Sequence, residues 1–264
     1  MAEYKQLKPT RHGFGEGLKQ AGEINSDLIA LGTDITGSVS MNTFADAFPN
    51  RFYSLGIAEQ NAAGVAAGLA LSGKTPVFST YGVFSAMRDL DQVRISICYN
   101  KLHVLIGGAH AGISVGPDGA THQALEDIAV MRVLPNMTVL SPCDATQTAL
   151  ATISAVKDIK GPVYIRFGRE AVPDFTPGDL EFVPGKAQIF RDGKDIALFA
   201  TGHMTWEAMK AAEILEKENI SAAVINFHTI KPLDTEMIMK YAKKCGKILT
   251  AEEHQAMGGF GSAV

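Results

Sequence analysis

Short apolar, β-branched runs alternate with segments of helical periodicity along the first two thirds of the chain. The runs at residues 28–33, 75–79, 102–107, 137–140 and 163–167 have the length and composition of buried strands. Between them, residues 11–22, 57–72, 83–99, 122–132 and 145–157 repeat apolar positions at helical spacing, and Asp144 stands where the last of these would be N-capped. Strand and helix in alternation predict an α/β fold built on a parallel sheet, each helix covering one of its faces.

The pattern breaks between residues 168 and 186, where Pro173, Pro177, Gly178, Pro184 and Gly185 punctuate a polar stretch. We therefore divide the chain into residues 1–170, a linker at 171–185 and a smaller α/β block at 186–264. In that block residues 196–200, 222–226 and 247–251 read as strands, with helices at 204–218 and 234–243. The chain then reaches Gly258-Gly259-Phe260-Gly261, where a further helix is expected to begin. Three strands with two helices leave a thin sheet short of cover, so this second domain is expected to be truncated.

Composition narrows the class. Lysine and arginine number 24 against 28 acidic residues, and no polycationic stretch occurs, which argues against a nucleic-acid partner. The longest run of small apolar residues, 62–71, is too short to span a bilayer, and the polar N-terminus lacks the apolar core of a signal peptide. Three widely spaced cysteines without a C-x-x-C pair support neither a disulfide framework nor a zinc site and fit a reducing cytoplasm.

Three stretches carry candidate chemistry. Gly56-Ile57-Ala58-Glu59-Gln60-Asn61 places one carboxylate at the start of an alanine-rich helix; taken alone, Glu59 could simply complement the helix dipole. Ser79-Thr80-Tyr81-Gly82-Val83-Phe84 sets two aromatics between a strand and a helix that continues to Asp91-Gln92-Val93-Arg94. Ligands of open α/β sheets bind at such strand ends, although Tyr81 and Phe84 by themselves would more often be core. The glycine-rich segment 108–123 holds His110, Asp118 and His122, a polar loop of the length that more often serves function than connection alone.

In order and spacing these stretches resemble the pyrimidine-binding region of the transketolase family, whose pattern is I-A-E-Q-N, S-T-[aromatic]-x-x-F, D-Q-x-R, H-x-G and D-G-x-x-H-Q. Lys231-Pro232-Leu233-Asp234 and Glu252-Glu253-His254 extend the likeness into the second block, so it covers nearly the whole chain. The resemblance implies a pyrimidine-binding domain of the thiamine-diphosphate-enzyme type followed by a transketolase-type C-terminal domain. It implies that Glu59 bonds the cofactor's aminopyrimidine and promotes deprotonation of the thiazolium, that Tyr81 stacks on the pyrimidine with Phe84 nearby, and that Asp34 lies close by. His110, Asp118 and His122 match positions that contact the hydroxyls or phosphate of a sugar, with His110 and His122 in catalytic roles and His122 a candidate proton shuttle. Arg11, Ser38 and Arg169 match positions that hold the sugar phosphate.

Transketolases also need a domain in which Gly-Asp-Gly and a later Asn hold Mg²⁺ against the diphosphate. No Gly-Asp-Gly occurs here: Asp118-Gly119 is preceded by Pro117. The resemblance therefore implies a split enzyme, with the diphosphate and Mg²⁺ on a separate N-terminal subunit and a heterotetramer as the assembly. The activity implied is transfer of a two-carbon ketol unit between sugar phosphates. A 1-deoxyxylulose-5-phosphate synthase shares several motifs but usually has Asp-Arg where this chain has Ala109-His110. The β subunit of a 2-oxoacid dehydrogenase E1 component differs around His122. A scaffolding relative without catalysis is disfavoured by Glu59, His110 and His122. A dinucleotide site at Gly13-x-Gly15-x-Gly17 or Gly258-Gly259-x-Gly261 rests on glycine clusters alone, and the first follows no strand.

Overall fold

The computed structural model describes residues 3–264. In chain order its strands are Gln6–Pro9 (β1), Leu28–Gly32 (β2), Phe52–Ser54 (β3), Thr75–Tyr81 (β4), Leu105–Ala109 (β5), Thr138–Leu140 (β6), Val163–Arg166 (β7), Ala171–Asp174 (β8), Gln188–Arg191 (β9), Ile196–Ala200 (β10), Ala222–Asn226 (β11), Thr229–Lys231 (β12) and Ile248–Ala251 (β13). The helices are Thr10–Ile24 (α1), Asn42–Ala47 (α2), Glu59–Leu71 (α3), Leu90–Gln92 (α4), Asp127–Val133 (α5), Ala145–Lys157 (α6), Met204–Lys217 (α7), Thr235–Cys245 (α8) and Phe260–Ala263 (α9).

The main sheet runs β12-β6-β7-β5-β4-β2-β3 and is parallel except where β12 meets β6. Every residue of β5 and β7 is buried. Burial on both faces is why these strands read as unbroken apolar runs rather than alternating ones. The strand β2 lies between β3, which follows it, and β4, so the chain reverses its direction across the sheet at that point. A reversal of this kind opens a crevice beyond the carboxyl ends of the strands, where ligands of open α/β sheets bind.

The glycines at 13 and 17 find their explanation in α1. A Cβ on either would collide with the backbone of Ala145 or Ala149 on α6, so the two helices approach more closely than side chains allow. These are packing residues inside a helix and give no support to a dinucleotide loop. At the start of α6, Asp144 is the expected N-cap, accepting from the N–H of Gln147 at 2.8 Å. Its other oxygen accepts from the N–H groups of Phe175 and Thr176 at 2.9 and 2.6 Å, tying the segment after β8 to the helix.

Two expectations need correction and a third is refined. The helix expected at 83–99 is present, but one α turn, α4, lies between π-helical stretches at Phe84–Arg88 and Val93–Cys98, with i→i+5 bonds from Asp89 N–H to the Phe84 carbonyl and from Tyr99 N–H to the Arg94 carbonyl. Turns of this width concentrate at functional positions. The helix expected from His122 starts only at Asp127, because Ala124 is paired in a bridge to Ala111, its carbonyl accepting from the Gly112 N–H at 2.9 Å. Part of the stretch read as linker is a strand, β8, paired antiparallel with β1.

The second sheet, β13-β10-β11-β9, has one strand more than the sequence suggested, since β9 adds antiparallel to β11. After β11 the chain crosses to place β12 beside β6, so residues 229–231 complete the first sheet. The expected terminal helix does begin: Glu252 accepts from the N–H groups of Phe260 and Gly261 at 2.6 and 2.8 Å. Phe260 is fully buried 5.2 Å from Phe227. One apolar cluster contains Phe78, Ile106 and Tyr164 of the first unit together with Phe199, Phe227 and Phe260 of the second.

Candidate active site

The parallel strands β2, β4, β5 and β7 end along one edge, and the loops leaving them carry the polar residues singled out above. Asp34 and Ser38 follow β2, Tyr81 closes β4, His110 follows β5, Arg169 follows β7, and Arg11 sits in the first turn of α1. Along this edge Asp34, Ser40 and His110 adopt φ of 70°, 60° and 56°. Left-handed backbone at non-glycine residues is costly and persists where the surroundings over-determine it, as they do at functional sites.

Ser38 joins the group together. Its Oγ is 3.1 Å from the Tyr81 hydroxyl and 3.3 Å from Nε2 of His110, while its carbonyl accepts from Nη1 of Arg11 at 3.0 Å. One carboxylate oxygen of Asp118 lies 3.9 Å from His110 Nε2, and the other lies 3.7 Å from Nη1 of Arg169. Burial first, and then the Arg11 guanidinium, push the His110 pKa down to about 4, so the ring is neutral at neutral pH. Its Nδ1 and the Nε of Arg11 are buried without a hydrogen-bond partner. Orphaned donors and acceptors of this kind are costly, and a ligand bearing hydroxyls and a phosphate would satisfy them.

Beside this polar chain is an aromatic patch. The Tyr81 ring lies 4.4 Å from His110, 5.1 Å from His122 and 5.7 Å from Phe84, and Phe84 lies 5.8 Å from His122. Glu59 opens α3 and reaches the patch through Arg88, whose Nη1 donates to its Oε1 at 2.8 Å while the guanidinium sits 3.9 Å from the Phe84 ring centroid. Flat apolar faces with a carboxylate alongside fit an aminopyrimidine, which needs stacking on its faces and a hydrogen-bonding partner for its ring nitrogens.

Two sequence readings change in detail. Glu59 is buried, but its company is not purely apolar: Arg88 pairs with it and a second acid, Asp89, is close by. Asp34 is exposed beyond β2 and joins none of the contacts above. Sequence reasoning missed Arg88 and Asp89. Arg88 was findable, because it lies four residues after Phe84 and so falls on the same helical face. Asp89 was not, since a polar residue in a polar stretch gives no sign of burial. It is fully buried and neither carboxylate oxygen has a hydrogen bond. Burial, and then the charge of Glu59, raise its pKa to about 7 against the opposing pull of Arg88.

A parallel sheet whose carboxyl edge joins an acid, an aromatic patch and a basic polar chain has the features expected of a pyrimidine-binding domain. Residues 7–174 match the transketolase pyrimidine-binding domain and residues 185–264 the transketolase C-terminal domain. The chain therefore belongs to the transketolase family, which depends on thiamine diphosphate. It is 42% identical over 259 residues to a putative transketolase C-terminal section of Methanocaldococcus jannaschii, covering 97% of this chain and 81% of that protein. It is 41% identical over 255 residues to one subunit of an apulose-4-phosphate transketolase of Phocaeicola vulgatus, covering 96% of this chain and 81% of that protein. A split-gene transketolase solved as an inactive β4 tetramer superposes with a TM-score of 0.90 at 46% identity, covering 97% of this chain and 82% of that one. A 1-deoxy-D-xylulose-5-phosphate synthase of Desulfotalea psychrophila is 39% identical over 256 residues, which is 95% of this chain but only 39% of the synthase.

Proposed function

We propose that this chain is the pyrimidine-binding subunit of a split transketolase that moves a two-carbon ketol unit between sugar phosphates. The observation that carries the reading is the contact chain from Arg11 through Ser38 and His110 to Asp118 and Arg169, set against the Tyr81 and Phe84 patch. Two guanidinium groups at one end suit a phosphate, and neutral hydrogen-bonding groups in the middle suit sugar hydroxyls.

When bound, thiamine diphosphate supplies a nucleophilic carbon that also stores an electron pair between donor and acceptor. The rest falls to the protein. Tyr81, Phe84 and His122 shape the surface that orients the pyrimidine, and Glu59, steadied by Arg88, holds or shares a proton at the ring nitrogen. His110, neutral at neutral pH, can donate from one ring nitrogen and accept at the other towards sugar hydroxyls. His122, at the rim beside Tyr81, is placed to move a proton on the donor hydroxyl. Arg11 and Arg169 fix the phosphate and so the distance of the reacting carbon from the cofactor.

The diphosphate and Mg²⁺ then belong to a separate N-terminal subunit, and the working assembly is a heterotetramer. Among the described residues no helix is long and apolar enough to cross a membrane, and we assign the enzyme to the cytoplasm. The test mixes the chain with candidate diphosphate-binding subunits, thiamine diphosphate and Mg²⁺, and follows ketol transfer from xylulose 5-phosphate to ribose 5-phosphate. Turnover only in the mixture supports the reading, and turnover by the chain alone overturns the split. The 39% identity to the synthase makes 1-deoxy-D-xylulose 5-phosphate the second product to assay. Its formation without ketol transfer replaces the transketolase reading with a synthase.

A further inference from the structure

The loop at residues 110–126 carries His110, Asp118 and His122, yet Pro117 and three glycines of positive φ leave it little regular structure. Anchors in its own domain, such as the bond from Arg169 to the Val115 carbonyl at 3.1 Å, are joined by others from the second domain. Glu253, two residues beyond β13 and 8% exposed, accepts from the backbone N–H of Ser114 and from its Oγ, the latter at 3.2 Å. Gly112 packs so closely on the same carboxylate that a Cβ there would collide with it. Arg166, the last residue of β7, donates to the carbonyls of Glu253 and Ala124 at 2.7 and 3.1 Å and pairs with Asp127 at 2.8 Å. His203, just after β10, stands 3.4 Å from the Glu253 carboxylate, and burial lowers its pKa.

We propose that Glu253 is a positioning residue: from the second domain it clamps the substrate loop through Ser114 and so sets where His110 and Asp118 stand. The substrate half of this inference rests on the functional reading above, whereas the clamp itself does not. A backbone N–H bonded to a carboxylate is roughly twice as strong as one bonded to a neutral acceptor. Glutamine at this position keeps the size and loses the charge, so Glu253→Gln isolates that contribution.

The experiment is hydrogen exchange on the full chain, followed by kinetics of the reconstituted enzyme. Glu253→Gln is expected to speed exchange across residues 110–122 about tenfold, the scale of one charge-assisted hydrogen bond, with β5 and β7 unchanged. In the assembled enzyme it should raise KM for the sugar phosphate by about tenfold with kcat within about twofold. Glu252→Gln serves as the control. Its parent carboxylate holds only the N-terminus of α9, so this variant should loosen α9 and leave the loop's exchange and KM alone. Unchanged loop exchange in Glu253→Gln, or the same loosening of the loop by Glu252→Gln, overturns the clamp. If Glu253→Gln does not fold, Ser114→Ala decides: about threefold faster loop exchange is expected, and no change overturns the proposal. Absence of ketol transfer in the wild-type mixture would fail the functional reading and leave the exchange result to judge the clamp alone.

Discussion

At the carboxyl edge of the first sheet, Arg11, Ser38, Tyr81 and Asp118 remain half-exposed, and ring or guanidinium nitrogens of His110 and Arg11 lack partners. At the carboxyl edge of the second sheet, Glu252 and Glu253 are engaged within the chain, by α9 and by Ser114. Both edges are built from parallel strands whose loops gather polar residues at one end, so topology alone offers each of them a site. Unsatisfied polarity separates them in degree: at the second edge, among the described residues, only Nε2 of His228, just beyond β11, is buried without a partner. Where buried donors and acceptors are left open the edge is prepared for a ligand, and where they are closed it is prepared to hold structure.

The comparison breaks most readily at Glu59. With this carboxyl acting on the cofactor ring, Glu59→Gln should lower kcat by about 10² to 10⁴-fold, the usual range for losing a general acid or base. The circular dichroism spectrum should not change. The matched substitution on the other edge, Glu252→Gln, should leave kcat intact. A comparable fall in both would mean that the two edges do not differ in the way described.

A second effect concerns stability. Asp89 has its pKa raised from 3.8 to about 7, so between those values the native state keeps a proton that the unfolded chain has already released. The stability it contributes is fully present below about pH 4 and is lost as the pH rises through 7, a span of about 4 kcal/mol at most. Asp89→Asn should remove that dependence. The check is the difference in denaturant midpoint between variant and parent, followed from pH 4 to pH 8. A constant difference would show that Asp89 ionises at its ordinary value and that Glu59 has no buried acidic neighbour of consequence.

The proposed phosphate contacts come next. Arg169→Ala should raise KM for a sugar phosphate by about 10- to 100-fold, the cost of one bond to a charged group. KM for the corresponding free sugar should change little. Equal increases for both would move Arg169 from ligand binding to support of the loop, where its other bond, to the Val115 carbonyl at 3.1 Å, already places it.

Much of this was legible from pattern. The runs around β2, β4, β5 and β7 were visible because buried parallel strands must be apolar throughout, and the motif order singled out Tyr81 and His110, whose rings the fold sets 4.4 Å apart. The strands β1, β3, β9 and β12 were not legible: three or four residues with mixed polarity carry no periodicity, and their pairing is decided by distant segments. The start of α5 was hidden for a related reason, since residues 122–126 fit a helical spacing that the pairing of Ala124 with Ala111 overrides. The clamp at Glu253 joins residues 139 positions apart, a relation that one sequence cannot reveal, and Asp89 shows its character only through burial.

The smallest effect tests the hub of the polar chain. Ser38 makes two neutral contacts, to the Tyr81 hydroxyl and to His110 Nε2, while its hold on Arg11 comes from the backbone carbonyl. Ser38→Ala therefore removes the side-chain contacts and keeps the arginine in place. A neutral hydrogen bond contributes about 1 kcal/mol net, so KM should rise about fivefold with kcat nearly unchanged. A drop in kcat with KM constant would place Ser38 in the chemical step. The first edge would then hold reacting groups at its polar centre as well as at Glu59, and the line between binding chain and cofactor patch would have to be redrawn through His110.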